Sequence, residues 1–203
     1  MQDESIGNWL DALASSAPAP GGGAAAALEA ALGAALVEMF CNLTVGRPAY
    51  AEHEELMASA RDRAHVLRAE AIGLAAEDAA AFQAVIDAYK LPRDDSARHE
   101  AIQAALAVAA DVPRRTAAVA SEVIDIAGRV APLGNVNVVS DAAAAAASAR
   151  AALQIALLNI DANTASIEDP ALLSELGEVT ATIGRDLERA DAVVTAVRER
   201  ATG

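Results

Sequence analysis

Apolar side chains recur along most of the chain at intervals of three and four residues, which is the spacing of an amphipathic α-helix. One face of residues 52–89 shows the pattern throughout, in Leu56, Ala60, Ala64, Leu67, Ala71, Leu74 and Asp78. Proline and glycine residues separate one helical stretch from the next. The pattern predicts six helices, over residues 5–15, 24–45, 52–89, 96–130, 141–162 and 170–200.

Three local signals bear on where these helices begin or break. Pro113 lies inside the fourth stretch, where a proline removes a backbone N–H and predicts a break or a kink. Ser140 is of a type preferred at helix N-termini and is predicted to cap the fifth helix, with Asp141 in its favourable first turn. Pro170 follows Asp169 at the first position of the last helix, where a proline is tolerated.

Alanine makes the predicted core broad but shallow. Of the 203 residues 56 are alanine, which is half of the 54% apolar share, while aromatic residues make up 2%. A buried methyl group contributes about 0.8 kcal/mol, against about 1.5–3 kcal/mol for a larger apolar side chain. The sequence therefore predicts one all-α domain over residues 1–203, a bundle of long antiparallel Ala-rich helices packed closely together. Because such a core has to bury a large area, we also expect the bundle to be dimeric.

The charge balance excludes several classes of partner. The chain has 15 Lys and Arg against 29 Asp and Glu, giving a net charge of −14. Binding to nucleic acid, or to an anionic membrane surface, requires clustered Lys and Arg, so neither partner is expected. Residues 1–8 carry two acids and no Lys or Arg, unlike a signal peptide. We therefore expect a cytoplasmic protein.

Two apolar runs resemble membrane spans at first sight, residues 21–45 and 142–160. The first contains two glutamates and the second contains Arg150 and Gln154. Alanine is also too weakly apolar to drive insertion into a bilayer. Both runs are interpreted as buried helices of a soluble protein.

Metal and thiol chemistry are not indicated. Helical bundles that hold a di-metal centre use repeated Glu-x-x-His motifs, and Asp62-x-x-His65 is the one similar spacing here. His53 and His99 are flanked by acids and are interpreted as solvated. We expect no metal. Cys41, the one cysteine, lies in an apolar helix without a neighbouring histidine and is expected to be a buried, inert thiol.

Three consecutive glycines open the second helix. Gly21, Gly22 and Gly23 match neither a dinucleotide fingerprint nor a Walker loop, because the spacing is wrong and no Gly-Lys-Ser/Thr follows. Glycines at a helix start nevertheless let the backbone approach a ligand, and the free N–H groups favour an anionic or carbonyl group. The alternative is a hinge without a ligand, although Pro18 and Pro20 favour a rigid loop.

A second cluster surrounds the start of the fifth helix. Asn135 and Asn137 precede Asp141, and Asn159 and Asn163 follow on roughly the same face of that helix. Buried amides have to be hydrogen-bonded, and together with the carboxylate they indicate a ligand site. The simpler alternative is that Asp141 only caps the helix.

These segments occur in an order that resembles a known family. The chain contains, in sequence, segments 19–23 (APGGG), 42–46 (NLTVG), 78–82 (DAAAF), 91–92 (LP), 134–141 (GNVNVVSD) and 159–163 (NIDAN). Over essentially its whole length it resembles the cyclodeaminase/cyclohydrolase domain of the formiminotransferase-cyclodeaminase family. That resemblance implies an all-helical domain that dimerises, with a folate site in a cleft near the interface.

The resemblance also implies a reaction. Members close 5-formimino-tetrahydrofolate to 5,10-methenyl-tetrahydrofolate with loss of ammonia, and this cyclodeamination is our main expectation. Some stand-alone members act instead as methenyltetrahydrofolate cyclohydrolases, which interconvert the 5,10-methenyl and 10-formyl forms. A third alternative is a helical binding or assembly module without activity. The tetrahydrofolate derivative is the substrate, no cofactor is expected, and a separate formiminotransferase chain is a candidate partner.

Two acids match the family's acidic positions, so Asp141 is the first catalytic candidate and Asp78 the second. A carboxyl group in an apolar cleft has a raised pKa, which suits transfer of a proton between the reacting nitrogens. The expected substrate-binding residues are the three glycines, four amides and one cation, with the amides holding the pterin edge and the cation meeting the folate carboxylates: Gly21, Gly22, Gly23, Asn135, Asn137, Asn159, Asn163 and Arg47.

The chain departs from the family at two places. Ala24 stands where the family often has Ser, and Arg47 is the one cation in a stretch that is often Lys-rich. Both departures favour the inactive module, whereas the carboxylate and its neighbouring amides favour an enzyme.

Overall fold

Six α-helices and two short 3₁₀ helices make up residues 5–202, the part of the chain that the computed structural model describes. The α-helices are α1 (Ile6–Leu13), α2 (Gly22–Asn42), α3 (Glu54–Lys90), α4 (Arg98–Val130), α5 (Val139–Thr164) and α6 (Pro170–Thr202). The 3₁₀ helices are Pro48–His53 and Val136–Val138. The predicted all-α class is confirmed, while the first four residues of the segment examined for a signal peptide lie outside the described range.

Three local predictions, on two helix starts and one break, differ from the structure. Helix α2 begins at Gly22, so Gly22 and Gly23 are helical and Gly21 alone is the extended residue before the helix. Helix α4 continues through Pro113 without interruption, because the surrounding turns are buried in the bundle and packing outweighs local propensity. Helix α5 begins at Val139, so Ser140 lies inside the first turn and is not the cap.

The helices are arranged around the pair α2 and α5. These two run antiparallel, with α3 on the far side of α2 and α6 on the far side of α5. Helix α4 packs behind the pair and contacts α2, α3, α5 and α6. The opposite side of the pair is not covered by another helix of the described chain.

Small residues let α2 and α5 approach closely, as predicted. A Cβ atom on Gly33 would lie 2.9 Å from the backbone oxygen of Ala145 and 3.1 Å from Val123. Ala34 and Ala152 are fully buried nearby. Gly33 therefore marks a point where the two helix backbones touch, and there is no room for a side chain between them.

Two helical stretches are apolar and long enough to cross a membrane by length and composition alone. They are Gly22–Asn42 and Val136–Thr164, with mean hydropathies of 1.7 and 1.4. Helices α2 and α5, which these stretches contain, each pack against three other helices. That packing supports the prediction that both are core helices.

Helix α1 is attached to the bundle by few side chains. Ser5 caps it by accepting a hydrogen bond from the Asn8 N–H at 3.2 Å. Trp9 is its buried residue, whereas Ile6 and Leu10 are exposed.

Candidate active site

A cavity of about 260 Å³ lies where the start of α2 meets α3, the middle of α4 and the last turns of α5. Small side chains and bare backbone form most of its wall, with one carboxyl group, one aromatic ring and two amides: Pro18, Ala19, Gly21, Gly22, Gly23, Asp78, Ala81, Phe82, Ala109, Asn159, Ala162 and Asn163. Six of the ten predicted site residues line it. Phe82 and Ala109 were not among the predicted site residues, although Phe82 ends the quoted segment 78–82. It follows Asp78 by one helical turn, a spacing that identifies a neighbour on the same face.

Gly23 brings the carboxylate of Asp78 against the start of α2. A Cβ atom at position 23 would collide with the Asp78 carboxylate, so a larger residue there would require the carboxylate to move. At Gly22 a Cβ atom would make only ordinary contacts, 3.8 Å from Nδ2 of Asn159, and at Gly21 it would meet open space. The glycine run was predicted to let a ligand approach the backbone. At Gly23 the group that approaches is a side chain of the protein itself.

Asp78 is subject to two opposing electrostatic effects. Burial is the larger effect and raises the pKa of the Asp78 carboxyl above its ordinary value. The backbone N–H of Ala24 donates a hydrogen bond to the carboxylate, which lowers the pKa and partly offsets the rise. This N–H is one of the unpaired donors at the start of α2. The net effect is a pKa of the Asp78 carboxyl above that of an exposed aspartate.

Phe82 supplies a flat apolar surface beside this carboxyl group. Its side chain is 46% exposed although it lies on a helix of the bundle, and it lines the cavity. The chain has only two phenylalanines, and the other, Phe40, is fully buried. A half-exposed ring beside an acid is suited to stacking against a planar ligand.

The two amides at the end of α5 are held by different bonds. Asn159 donates from Nδ2 to the carbonyl of Ile155, 2.8 Å away in its own helix. Asn163 donates from Nδ2 to the carbonyl of Ala109 in α4, at 3.1 Å. Each amide keeps further hydrogen-bonding capacity, since an Asn side chain has two N–H donors and one acceptor oxygen.

The structure separates the predicted site into two groups. Asp141 and Asn159 are 18 residues apart on α5, which is about 27 Å at 1.5 Å per residue. Asn135, Asn137 and Arg47 lie with Asp141 at the far end of the bundle, and none of the four lines the cavity. The expectation that Asp141 and the α5 amides form one site is therefore wrong within a single chain. Sharing a helix face fixes the direction of side chains but not their distance along the axis.

Asn135 is held by several hydrogen bonds within the protein, and its predicted contact with substrate stays a prediction. It is buried, and its Nδ2 donates to the carbonyl of Leu43 at 2.9 Å. Its Oδ1 accepts from the backbone N–H of Asn137, and its own N–H donates to Oγ1 of Thr44, both at 3.1 Å. The Tyr50 hydroxyl accepts from the N–H of Val136 at 3.2 Å. These bonds tie the α4–α5 connection to the end of α2.

A larger groove of about 570 Å³ lies between α4 and α6. Both arginines that line it are engaged in ion pairs: Arg189 contacts Asp125 at 2.7 Å and Asp186 at 2.8 Å, and Arg114 contacts Asp111. None of the ten predicted residues lines this groove. We regard the smaller cavity as the candidate site because its polar groups face unfilled space.

The described residues show two further features of the expected chemistry. Within residues 5–202 no three His, Cys, Asp or Glu side chains are grouped as a metal would require. The absence of a metal stays a prediction.

Cys41 is buried, and burial raises the pKa of its thiol to about 11. This fits the expected inert thiol.

Comparison with known proteins identifies relatives over most of the chain. A family model described as formiminotransferase-cyclodeaminase matches residues 5–182. A methenyltetrahydrofolate cyclohydrolase of Methylorubrum extorquens is 46% identical over 177 residues, which cover 85% of each chain. A formimidoyltransferase-cyclodeaminase of Mus musculus is 30% identical over 173 residues, which cover 83% of this chain and 32% of that protein. This chain thus spans about a third of the mouse protein's length.

A solved structure shares the fold. The formiminotetrahydrofolate cyclodeaminase of Thermotoga maritima superposes with a TM-score of 0.91 at 27% identity, covering all of this chain and 99% of that one.

Substitution of Gly23 tests the contact between α2 and Asp78. We expect Gly23→Ala to displace the Asp78 carboxylate and to break its bond with the Ala24 N–H, with a loss of about 1–3 kcal/mol of stability for an unsatisfied buried group. Gly21→Ala is the matched control, since a Cβ atom there meets open space. Chemical denaturation measures both. Equal stabilities for the two variants would contradict the close contact.

Proposed function

This chain belongs to the formiminotransferase-cyclodeaminase family, and we propose that it is a methenyltetrahydrofolate cyclohydrolase, which interconverts 5,10-methenyl- and 10-formyl-tetrahydrofolate. The observation that carries the proposal is the cyclohydrolase of Methylorubrum extorquens, which this chain matches at 46% identity over 85% of both lengths. The relatives that carry the cyclodeaminase name match at lower identity. The comparisons therefore favour the alternative of the sequence analysis over cyclodeamination, its main expectation.

The cavity supports a folate substrate through its shape and polar groups. At about 260 Å³ it is smaller than the roughly 300–1,000 Å³ of pockets that enclose drug-sized ligands. It therefore suits the bicyclic ring and its one-carbon group better than a whole folate. Phe82 offers a stacking surface for that ring, and Asn159 and Asn163 offer donors and acceptors for its amide edge.

Asp78 is the proposed proton-transfer group. Its ionised carboxylate takes one proton from a water molecule as the water oxygen bonds to the cationic methenyl carbon, giving a neutral hydroxymethylene adduct. The bond from that carbon to N5 then breaks while N5 takes up the proton held by Asp78, and the hydroxyl proton passes to solvent. The formyl group remains on N10, and one proton is released over the cycle. A carboxyl group with a raised pKa is suited to both steps.

Cyclodeamination is the second candidate, supported by the Thermotoga maritima structure and the mouse relative. The same carboxyl group would move the N10 proton to the formimino nitrogen as N10 bonds to the formimino carbon. A second proton, taken up from solvent, would let that nitrogen leave as ammonia and give the methenyl cation. A separate formiminotransferase is a partner only for this reaction, because the cyclohydrolase needs no formimino donor.

The absorbance of the methenyl chromophore distinguishes the candidate functions. We expect the purified protein to accelerate its loss from 5,10-methenyl-tetrahydrofolate. Appearance of the chromophore from 5-formimino-tetrahydrofolate, with ammonia release, would identify the cyclodeaminase instead. No change with either compound would indicate the inactive module and refute the proposal.

Replacing Asp78 tests its role. Asp78→Asn keeps the shape of the side chain, so we expect folding and substrate affinity to be nearly unchanged and turnover to fall about 10²–10⁴-fold, the usual contribution of acid–base catalysis. An Asp78→Asn protein with full turnover would exclude this role.

The pH dependence of the wild type is a second test of Asp78. Methenyl hydrolysis should decline as the pH falls through the raised pKa of Asp78, which lies above the roughly 3.9 of an exposed aspartate, because only the ionised form accepts the proton.

Helix geometry places Asp141 about 27 Å from Asn159 along α5, so Asp141 reaches such a cavity only from a second copy of the chain. Mixing Asp78→Asn with Asp141→Asn chains tests this arrangement. Recovery of turnover in the mixture would show that one cavity uses both carboxylates from different copies. A fully active Asp141→Asn protein would leave Asp78 as the proton-transfer group and Asp141 as part of the helix start.

We further propose that the chain forms a homodimer through the uncovered side of α2 and α5. Leu32 is 54% exposed and Leu158 is 68% exposed on these two helices, and Met39, Ala144 and Ala147 are also exposed. Exposed apolar patches of this kind mark interaction surfaces on soluble proteins. A second copy presents the same patch, so a two-fold axis between the copies would bury one apolar patch against the other.

Light scattering after size exclusion tests the dimer. We expect twice the chain mass of 20.6 kDa for the wild type and a monomer for Leu32→Glu/Leu158→Glu, because the added carboxylates oppose burial. Val108→Glu is the control, as Val108 is 56% exposed on α4 behind the pair. A folded wild-type monomer at micromolar concentration would refute the dimer.

A further inference from the structure

Pro113 lies in an unfavourable place for a proline, and the structure shows what accompanies it. It is buried inside α4, which continues as an α-helix on both sides. A proline has no backbone N–H, and it therefore cannot bond to the carbonyl four residues earlier. In α4 that carbonyl belongs to Ala109, which lines the candidate cavity.

The carbonyl that Pro113 leaves free is bonded by Asn163. Nδ2 of Asn163 donates to the oxygen of Ala109 at 3.1 Å, across 54 residues of sequence. The bond joins α5 to α4 at the wall of the cavity. It also provides the partner that a half-buried carbonyl needs when its helical donor is missing.

Asn163 needs such a bond to be held in place. It lies one residue before the end of α5, and the last turn of a helix frays more readily than its middle. Asn159, one turn earlier, instead bonds to the carbonyl of Ile155 in its own helix. A local bond of that kind turns with the helix end, whereas the bond to Ala109 fixes Asn163 relative to α4.

We propose that Pro113 is a positioning residue for the cavity. By leaving the Ala109 carbonyl unpaired, it directs Asn163 to that carbonyl and fixes the orientation of the amide. One N–H and the carbonyl oxygen of Asn163 then remain for a ligand with neighbouring donor and acceptor atoms, such as the amide edge of a bicyclic ring. This role rests on the proposed function of the cavity as a folate site.

A thermal unfolding cycle tests the coupling without any substrate. In Pro113→Ala, the new N–H at position 113 pairs with the Ala109 carbonyl, so that carbonyl no longer needs Asn163. We expect Asn163→Ala to lower Tm by several degrees in the wild type and to have little effect in the Pro113→Ala background. Equal shifts in both backgrounds would overturn the coupling.

The Michaelis constant tests the positioning role. We expect Pro113→Ala to raise KM for 5,10-methenyl-tetrahydrofolate about 3–10-fold with a smaller change in kcat, as loss of one well-placed hydrogen bond would cause. Gly184→Ala is the control, because Gly184 is exposed on α6 with open space around it. It should raise Tm by improving helix propensity and leave KM unchanged.

Two outcomes separate the proposals. If Pro113→Ala behaves as Gly184→Ala does, with an unchanged KM, then the positioning role is wrong although the enzyme remains a cyclohydrolase. If the wild type turns over neither folate, the proposed function and the positioning role built on it both fail. The thermal cycle then still decides whether Pro113 and Asn163 are coupled.

Discussion

Gly33 lets the backbone of α2 touch the backbone of α5, and this contact determines how the rest of the bundle is arranged. A Cβ atom at Gly33 would lie 2.9 Å from the oxygen of Ala145, so any side chain at this position would force the two helices apart. Many short contacts between backbone atoms and methyl groups contribute dispersion energy here. They take the place of the contacts that larger side chains make in the cores of other proteins. The other helices then pack around this pair, and the start of α2 meets the end of α5 at the cavity.

The absence of a side chain at a glycine also shapes the cavity. Gly23 leaves room for the carboxylate of Asp78 beside the first turn of α2, where unpaired N–H groups favour negative charge. Burial acts against that charge and is the larger effect, so the pKa of Asp78 is raised. The acid is thus held between one effect that favours its neutral form and one that favours its ionised form. That property, more than the fold, makes this cavity a candidate for proton-transfer chemistry.

The sequence predicted the helices well and the site incompletely. Long Ala-rich stretches with few Gly or Pro interruptions have a high helix propensity, and the six helices were confirmed with small changes at their ends. Asp78 and the glycines were identified by motif and lie together. Helix faces, however, carry no information on contacts between distant segments. Nothing local shows that Asn135 bonds to Leu43, or that Asn163 bonds to the Ala109 carbonyl, four residues before Pro113.

Helix α1 gives the protein an optical property of its own. Trp9 is the one tryptophan of the chain and the buried residue of α1, while Ile6 and Leu10 on the same helix are exposed. Tryptophan fluorescence therefore reports on the docking of α1, whereas far-ultraviolet circular dichroism reports on the whole bundle. A helix attached by few side chains opens at a lower free energy than the core. The two signals would then follow different transitions, and fluorescence alone would underestimate the stability of the bundle.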